Sequence, residues 1–193
     1  MEVTIAISAK NEQNVIGDCL RSIVQQTEPV REVLVVDEPT DGTIPVAKQF
    51  GARVLLNRGK KLYEARNTAL EHCRTEVLGF TDADCVLDPH WVARVKRILA
   101  EHPEVAAGTG RDPAIGKRNF SAWLHHMWYV VETRATGYTD GVIGGNIYFR
   151  TEALRKVGGG YPFPLWLSSV AVARKGAPLS QIYVGAGLEL RKG

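Results

Sequence analysis

An α/β fold with a doubly wound, mainly parallel sheet is predicted by three features of this chain. Short apolar, β-branched runs alternate with amphipathic helical patterns through residues 3–100. The links between them are short, and the runs are apolar enough to be strands covered on both faces. Acidic residues collect where those strands should stop. With 193 residues the chain is most simply one domain, large enough to bury a core without disulfides.

The elements follow in order. "VTIAIS" (3–8) is a buried strand, and "NEQNVIGDCLRSIVQQT" (11–27) places Val15, Ile16, Cys19, Leu20, Ile23 and Val24 on one helical face. "EVLVVD" (32–37) is a second strand. Asp41-Gly42 supplies a turn, and Thr43 to Phe50 a short helix with Pro45 in its first turn. "ARVLLN" (52–57) is a third strand, followed by a helix near 62–73 with Leu62, Ala65, Ala69, Leu70 and Cys73 inward. "EVLGFT" (76–81) is a fourth. Pro89 then opens a helix through Ala100 whose inner face is Trp91 or Val92, Val95, Ile98 and Leu99.

The second half loses this rhythm. "EVAAGTG" (104–110) suits a short strand, and "NFSAWLHHMWYVVETRA" (119–135) an aromatic helix. "DGVIGGNIYFR" (140–150) reads as a glycine-broken strand, and "TEALRKVGG" (151–159) as a short helix with a glycine C-cap signal. Proline and glycine leave no readable element from "GGGYPFPLW" onward.

Composition narrows the function. At 45% hydrophobic and 23% charged the chain is an ordinary globular one, and a net charge of +3 spread over the sequence argues against a nucleic-acid partner. Cys19, Cys73 and Cys85 show no metal-ligand spacing, and two of them fall at apolar helical positions. They predict buried free thiols and a reducing compartment. "MEVTIAIS" is not a basic leader with a cleavage site, and no apolar run reaches the roughly 20 residues of a membrane span. A cytoplasmic protein is the expectation.

Open parallel sheets bind ligands beyond the carboxyl ends of their strands. Asn11 and Glu12 follow the first strand, Asp37 and Glu38 the second, Asp82 and Asp84 the fourth. If the sheet order sets these strands side by side, their ends form an oxygen-rich rim. In extended backbone Asp82 and Asp84 would point the same way, as ligands for a hard divalent cation. Taken alone, so short a D-x-D favours a plainer reading, solvated loop residues with Asp84 or Asp88 capping the Pro89 helix. Asp37 and Glu38 are open to two readings as well, a polar turn or acceptors for a nucleobase or ribose.

The blocks "ISAKNEQNVIGDCLRSIVQQT", "EVLVVDEPTDGT", "ARNTALEHC" and "VLGFTDADCVLDPHWV" resemble, in order and spacing, family 2 glycosyltransferases of the GT-A fold. "GGNIYFRTEALRKVGG" (144–159) is similar to the acceptor-side block of the same enzymes. The resemblance implies a single GT-A-type domain. Residues 1–110 would bind the nucleotide-sugar, and 111–193 would form a smaller, mixed acceptor-side half, shortened relative to family members. It implies that Ala9, Asn11, Glu12, Asp37 and Glu38 hold the nucleotide, with either acid of the Asp37-Glu38 pair on the base. Arg66 and Asn67 would lie near the donor diphosphate and sugar. Lys60, Lys61 and Arg58 are open to two readings, a solvated loop or positive charge added nearby. Asp82-Ala83-Asp84 matches the family's D-x-D. Asp82 and Asp84 would therefore be the metal ligands and the catalytic residues that activate the donor through Mn²⁺ or Mg²⁺, Asp84 the more direct ligand. Gly144, Gly145 and Asn146 would face the acceptor. The implied donor is a UDP- or GDP-sugar, and the acceptor a glycan or lipid-linked hydroxyl, the latter reached peripherally at the inner membrane face. Trp123, Trp128 and Tyr129 are most simply core, with an aromatic acceptor platform or a contact with a lipid-linked acceptor as the other reading.

One feature departs from the pattern. Inverting members carry a Glu-Asp pair after the acceptor block, and that aspartate takes the proton of the attacking hydroxyl. Here no Asp or Glu stands between Glu152 and Glu189, and Ser168 and Ser169 occupy the matching place. Three readings stay open: a base from elsewhere, such as Asp140, His125 or His126; a retaining reaction; or a non-catalytic nucleotide-sugar-binding module. Neither a glycine-rich, arginine-bearing phosphate loop nor GxGxxG follows the first strand, against a nucleotidyltransferase or a Rossmann dehydrogenase.

Overall fold

Residues 1–38, 41–57, 61–103, 105–109, 145–156, 158–159 and 182–184 are described by a computed structural model. Four strand–helix units open the chain: β1 (Val3–Ala9) and α1 (Ile16–Val24), β2 (Glu32–Asp37) and α2 (Thr43–Gln49), β3 (Arg53–Leu56) and α3 (Leu62–His72), β4 (Val77–Asp82) and α4 (Trp91–Glu101). Then come β5 (Ala107–Thr109), β6 (Asn146–Arg150), α5 (Thr151–Lys156) and β7 (Ile182–Val184). Among the described residues the strands form one sheet in the order β3-β2-β1-β4-β6-β5-β7. Strands β1 to β4 pair in parallel, β6 runs antiparallel to both β4 and β5, and β7 is parallel to β5. The predicted doubly wound, mainly parallel sheet is thus present, with a mixed edge.

Alternation along the strands divides the core between the two faces. Val3, Ile5, Ile7 and Val35 pack with Ile16, Cys19, Leu20 and Ile23 of α1, Ala47 of α2, and Trp91, Val92, Val95 and Leu99 of α4. On the other face Ala6, Leu34, Val36, Leu78 and Phe80 meet Ala65, Ala69 and Leu70 of α3 and Leu154 of α5. Cover on both sides is why the runs in β1, β2 and β4 are continuously apolar. Cys19 and Cys73 are buried free thiols, as predicted, and Cys85 is half-buried.

Three predicted core positions are exposed instead: Val15, Val24 and Leu62. Each lies at or beyond a helix end. The chain turns at Asn11, whose φ is 59°, and the amides of both Val15 and Ile16 bond to the Glu12 carbonyl, so α1 begins at Ile16 rather than at residue 11. Val24 and Leu62 are the last residue of α1 and the first of α3, where the helix has left the sheet. The glycine signal after α5 holds. Gly158 and Gly159 have φ of 85° and 81°, and their amides return to the carbonyls of Arg155 and Leu154. The aromatic stretch 119–135 lies outside the described residues.

Candidate functional site

The sheet order sets β2, β1 and β4 side by side, and the winding reverses between β1 and β4. Parallel α/β sheets bind ligands at such a switch point. Register places Asp37 across from Ala9, and Asp82 across from Ser8. The strand-end acids therefore share one rim, as expected if these strands were neighbours. The loop after β1 is tied to the loop after β2: Glu12 N donates to Thr43 Oγ1 at 3.0 Å, Gln13 N to Asp41 Oδ2 at 3.3 Å, and Gly42 N to Gln13 Oε1 at 2.9 Å. Lys10 pairs with Glu38 at 3.1 Å across the same loops. Asn11, exposed beside them, adopts the left-handed conformation that asparagine tolerates better than most residues.

Asp82 ends β4, and Asp84 sits in the turn that follows, closed by a bond from Cys85 N to the Asp82 carbonyl at 3.1 Å. This corrects the extended-backbone expectation: a turn, not strand alternation, brings the two carboxylates together. One ligand atom each from Asp82, Asp84 and Cys85 lies within 4.8 Å of the others. Asp84 does not cap the next helix. Nor does Asp88 make a capping bond: the N-cap is His90, and Asp88 accepts from His90 N at 2.8 Å just ahead of α4 and pairs with Arg94. Asp84 is left exposed at the rim.

Arg66 comes to this cluster from α3. Its residue exposure is 6%, its guanidinium lies 5.4 Å from the Phe80 ring centroid, and Nη2 stands 3.8 Å from Asp82 Oδ1. Burial pulls the guanidinium down to about 10, with Asp82 opposing, so it stays charged at neutral pH. Burial likewise pushes the Asp82 carboxyl above the ordinary carboxylate range. Arg66 draws it back, and Asp84 raises it further. The Cys85 thiol is pushed up to about 11 by burial and then by the two aspartates, so at neutral pH it is a thiol rather than a thiolate. Two carboxylates, one buried cation and a neutral sulfur make up the cluster.

Helix α1 and the residues just after it hold the segment after β4 in place. Ser22 Oγ accepts from Leu87 N at 3.0 Å, Gln26 Nε2 donates to the Asp88 carbonyl at 2.8 Å, and Gln26 Oε1 accepts from Val92 N at 3.0 Å. Cys19 Sγ donates to the Asp82 carbonyl at 3.6 Å. From the antiparallel side, Gly145 abuts the Asp82 carboxylate, and Asn146 accepts from Trp91 Nε1 at 2.6 Å. Asn67, next to Arg66, lies against Gly159.

Of the residues predicted from sequence, Ala9, Asn11, Glu12, Asp37, Glu38, Arg66, Asn67, Asp82, Asp84, Gly145 and Asn146 all lie on elements that meet at this end of the sheet. Lys61 is the residue ahead of α3, its amide bonded to Glu64 Oε2 at 2.8 Å. Gly144, Arg58, Lys60, His125, His126, Asp140, Ser168 and Ser169 lie outside the described residues. Sequence reasoning passed over Cys85, whose place beside the D-x-D carried no spacing signal. Asp41, Gln13 and Thr43 read in sequence only as turn and helix residues, because their mutual bonds need the two loops already folded together.

Residues 4–158 match the family described as glycosyl transferase family 2, and the chain belongs to that family. Among curated relatives it is 32% identical over 128 residues to the glycosyltransferase AglE of Haloferax volcanii, covering 62% of this chain and 40% of that one. It is 36% identical over 88 residues to the 4,4'-diaponeurosporenoate glycosyltransferase of Staphylococcus aureus, covering 42% and 24%. The chain thus spans less than half the length of these two relatives. Among solved structures, the mannosyltransferase PcManGT of Pyrobaculum calidifontis, in complex with GDP-Man and Mn²⁺, superposes with a TM-score of 0.75 at 26% identity, over 98% of this chain and 58% of that one. Glucosyl-3-phosphoglycerate synthase from Mycobacterium tuberculosis, at 20% identity and a TM-score of 0.66 over 95% and 68%, shares the fold. Among the described residues no helix is long and apolar enough to cross a membrane.

Proposed function

We propose that this chain binds a nucleotide-diphosphate sugar with a divalent cation at the β1–β4 switch point and transfers the sugar to an acceptor hydroxyl. The observation that carries the reading is the convergence of Asp82, Asp84 and the buried Arg66 on one rim, in a chain of this family. The donor set fits the ion. Two carboxylates suit Mg²⁺ or Mn²⁺. Such an ion, when bound, supplies Lewis-acid stabilisation of the charge that develops on the departing diphosphate.

The protein's own residues do the rest. Asp82 and Asp84 hold the cation, Asp84 from the exposed side of the turn. Arg66 keeps a fixed positive charge behind Asp82 and limits the repulsion between the two carboxylates. The loops carrying Ala9, Asn11, Glu12, Asp37 and Glu38 take the nucleoside, with Asn67 and Asn146 toward the sugar and acceptor. GDP- and UDP-sugars are the donors to test first, because the structural neighbours were solved with GDP-Man and with UDP.

The expected outcome is a rise in melting temperature with GDP-mannose or UDP-glucose that requires Mn²⁺ or Mg²⁺ and is largely lost in Asp84→Ala. No metal-dependent rise with either donor counts against the donor site. The alternative, a donor-binding module without transfer, is favoured by the absence of any Asp or Glu between Glu152 and Glu189. Release of nucleoside diphosphate dependent on an acceptor hydroxyl separates the two readings.

A further inference from the structure

Glycines are replaceable where a side chain would meet open space, and Gly145 does not stand in open space. A Cβ built on it would lie 2.7 Å from Asp82 Oδ2, 3.3 Å from Asp82 Cγ and 3.1 Å from Cys85 Sγ. The first distance is shorter than a carbon–oxygen contact allows, so one side must move. Gly145 is not among the glycines with positive φ, so its backbone conformation is open to any residue. What the position excludes is the side chain itself. The atom that must yield is the tip of the Asp82 carboxylate, the partly exposed end of a flexible side chain rather than packed backbone. Gly79 makes the contrast. Its Cβ would strike Trp91 Cη2 at 2.6 Å, inside a ring that is 3% exposed, so a side chain there disturbs the core. At Gly159 the close approach to Asn67 Oδ1 comes with a φ of 81°, and conformation and crowding cannot be separated.

We infer that Gly145 is a positioning residue for Asp82: by presenting no side chain it lets the carboxylate stay beside Arg66 and near Asp84, where it would hold the cation. The inference rests on the donor-site reading above and changes what Gly145 does within it. The block 144–159 then serves the donor as well as the acceptor, because the residue just ahead of its antiparallel strand sets bare backbone against Asp82. Loss of such a supporting contact typically weakens metal binding by about 10–100-fold.

The test is Gly145→Ala, read in two ways. In its crystal structure the Asp82 carboxylate is expected to be displaced from its place beside Arg66. If it stays put, the inference falls, whatever the fate of the donor reading. In solution, the Mn²⁺ concentration needed for half-maximal donor-induced stabilisation should rise about tenfold or more. The ligand-free melting temperature should stay within about 2–4 °C of wild type, the equivalent of about 1 kcal/mol for a chain of this size. An Asp82→Ala background isolates the mechanism. If Gly145 acts only through Asp82, adding Gly145→Ala to Asp82→Ala changes Mn²⁺ affinity no further. Unchanged Mn²⁺ affinity in the single variant, an additive loss in the double variant, or a larger fall in ligand-free stability would each overturn the proposal. A displaced carboxylate in a protein whose wild type shows no Mn²⁺ response would instead remove the donor reading and leave the steric role of Gly145 standing.

Discussion

Asp41 shows how much one half-buried side chain can organise. Its Oδ1 accepts from Thr43 Oγ1 at 2.5 Å and Thr43 N at 2.9 Å, and its Oδ2 from Gln13 N at 3.3 Å. Thr43 Oγ1 in turn accepts from Glu12 N, so the loops after β1 and β2 are joined through one carboxylate. These bonds, the Thr43 hydroxyl first, hold the Asp41 carboxyl below the ordinary carboxylate range. A depressed folded-state value means that the contribution is fully present above the unfolded value, about 4, and is lost as pH falls through the folded one. Asp41→Asn should therefore melt below wild type at neutral pH, and the gap should close as the solution is taken below about pH 4. A gap of constant size down to pH 2, followed by circular dichroism, would dismiss the carboxylate as the cause.

At the scale of elements, long polar side chains fasten helix ends to neighbours distant in sequence. Arg150, the last residue of β6, donates from Nε to the Val105 carbonyl at 2.7 Å, and from Nη2 to the carbonyls of Leu99 at 2.6 Å and His102 at 3.2 Å. It closes the C-terminal end of α4, whose last carbonyls have no partner within the helix. Arg155 does the same for α3, reaching the Cys73 carbonyl at 2.6 Å. A charged donor of this kind contributes about 1.5–3 kcal/mol, so Arg150→Ala should lower unfolding stability in urea by that order. Register puts Arg150 opposite Val77, at the far end of β4 from Asp82, so donor and metal responses should be unaffected. A loss of metal affinity in this variant would show that the two ends of the strand are coupled.

Across the whole molecule, β6 lies between β4 and β5, entering the sheet antiparallel from about forty residues further along the chain. It carries Ile147, Tyr148 and Phe149 into both halves of the core. Phe149 packs edge-on to Phe80, and Tyr148 edge-on to Trp91, each with ring centroids 6.1 Å apart. Without β6 the β4 edge and these aromatic faces would meet water, and Asp82 would lose the backbone beside it. Residues 1–110 expressed alone are therefore expected to show no cooperative thermal transition, although they hold the four parallel-paired strands β1 to β4 and both acids of the D-x-D. A sharp melt with near-UV dichroism from that fragment would show that the parallel half folds without β6.

The parallel half of the fold was legible in the residues alone. A strand buried on both faces must be apolar throughout, and a helix lying on it must be apolar on one side, so the order of elements from β1 to α4 follows from periodicity. The acids at the strand ends were visible for the same local reason, since apolar runs stop where carboxylates begin. Tertiary structure alone decided how those acids meet. The turn at Ala83 and Asp84, the burial of Arg66 behind Asp82, and the sulfur of Cys85 beside them depend on contacts between α1, α3 and β4. The glycine at 145 is the sharpest case. In sequence it is one small residue in a glycine-broken strand, and only the antiparallel insertion of β6 sets it where a single methyl group would strike the Asp82 carboxylate.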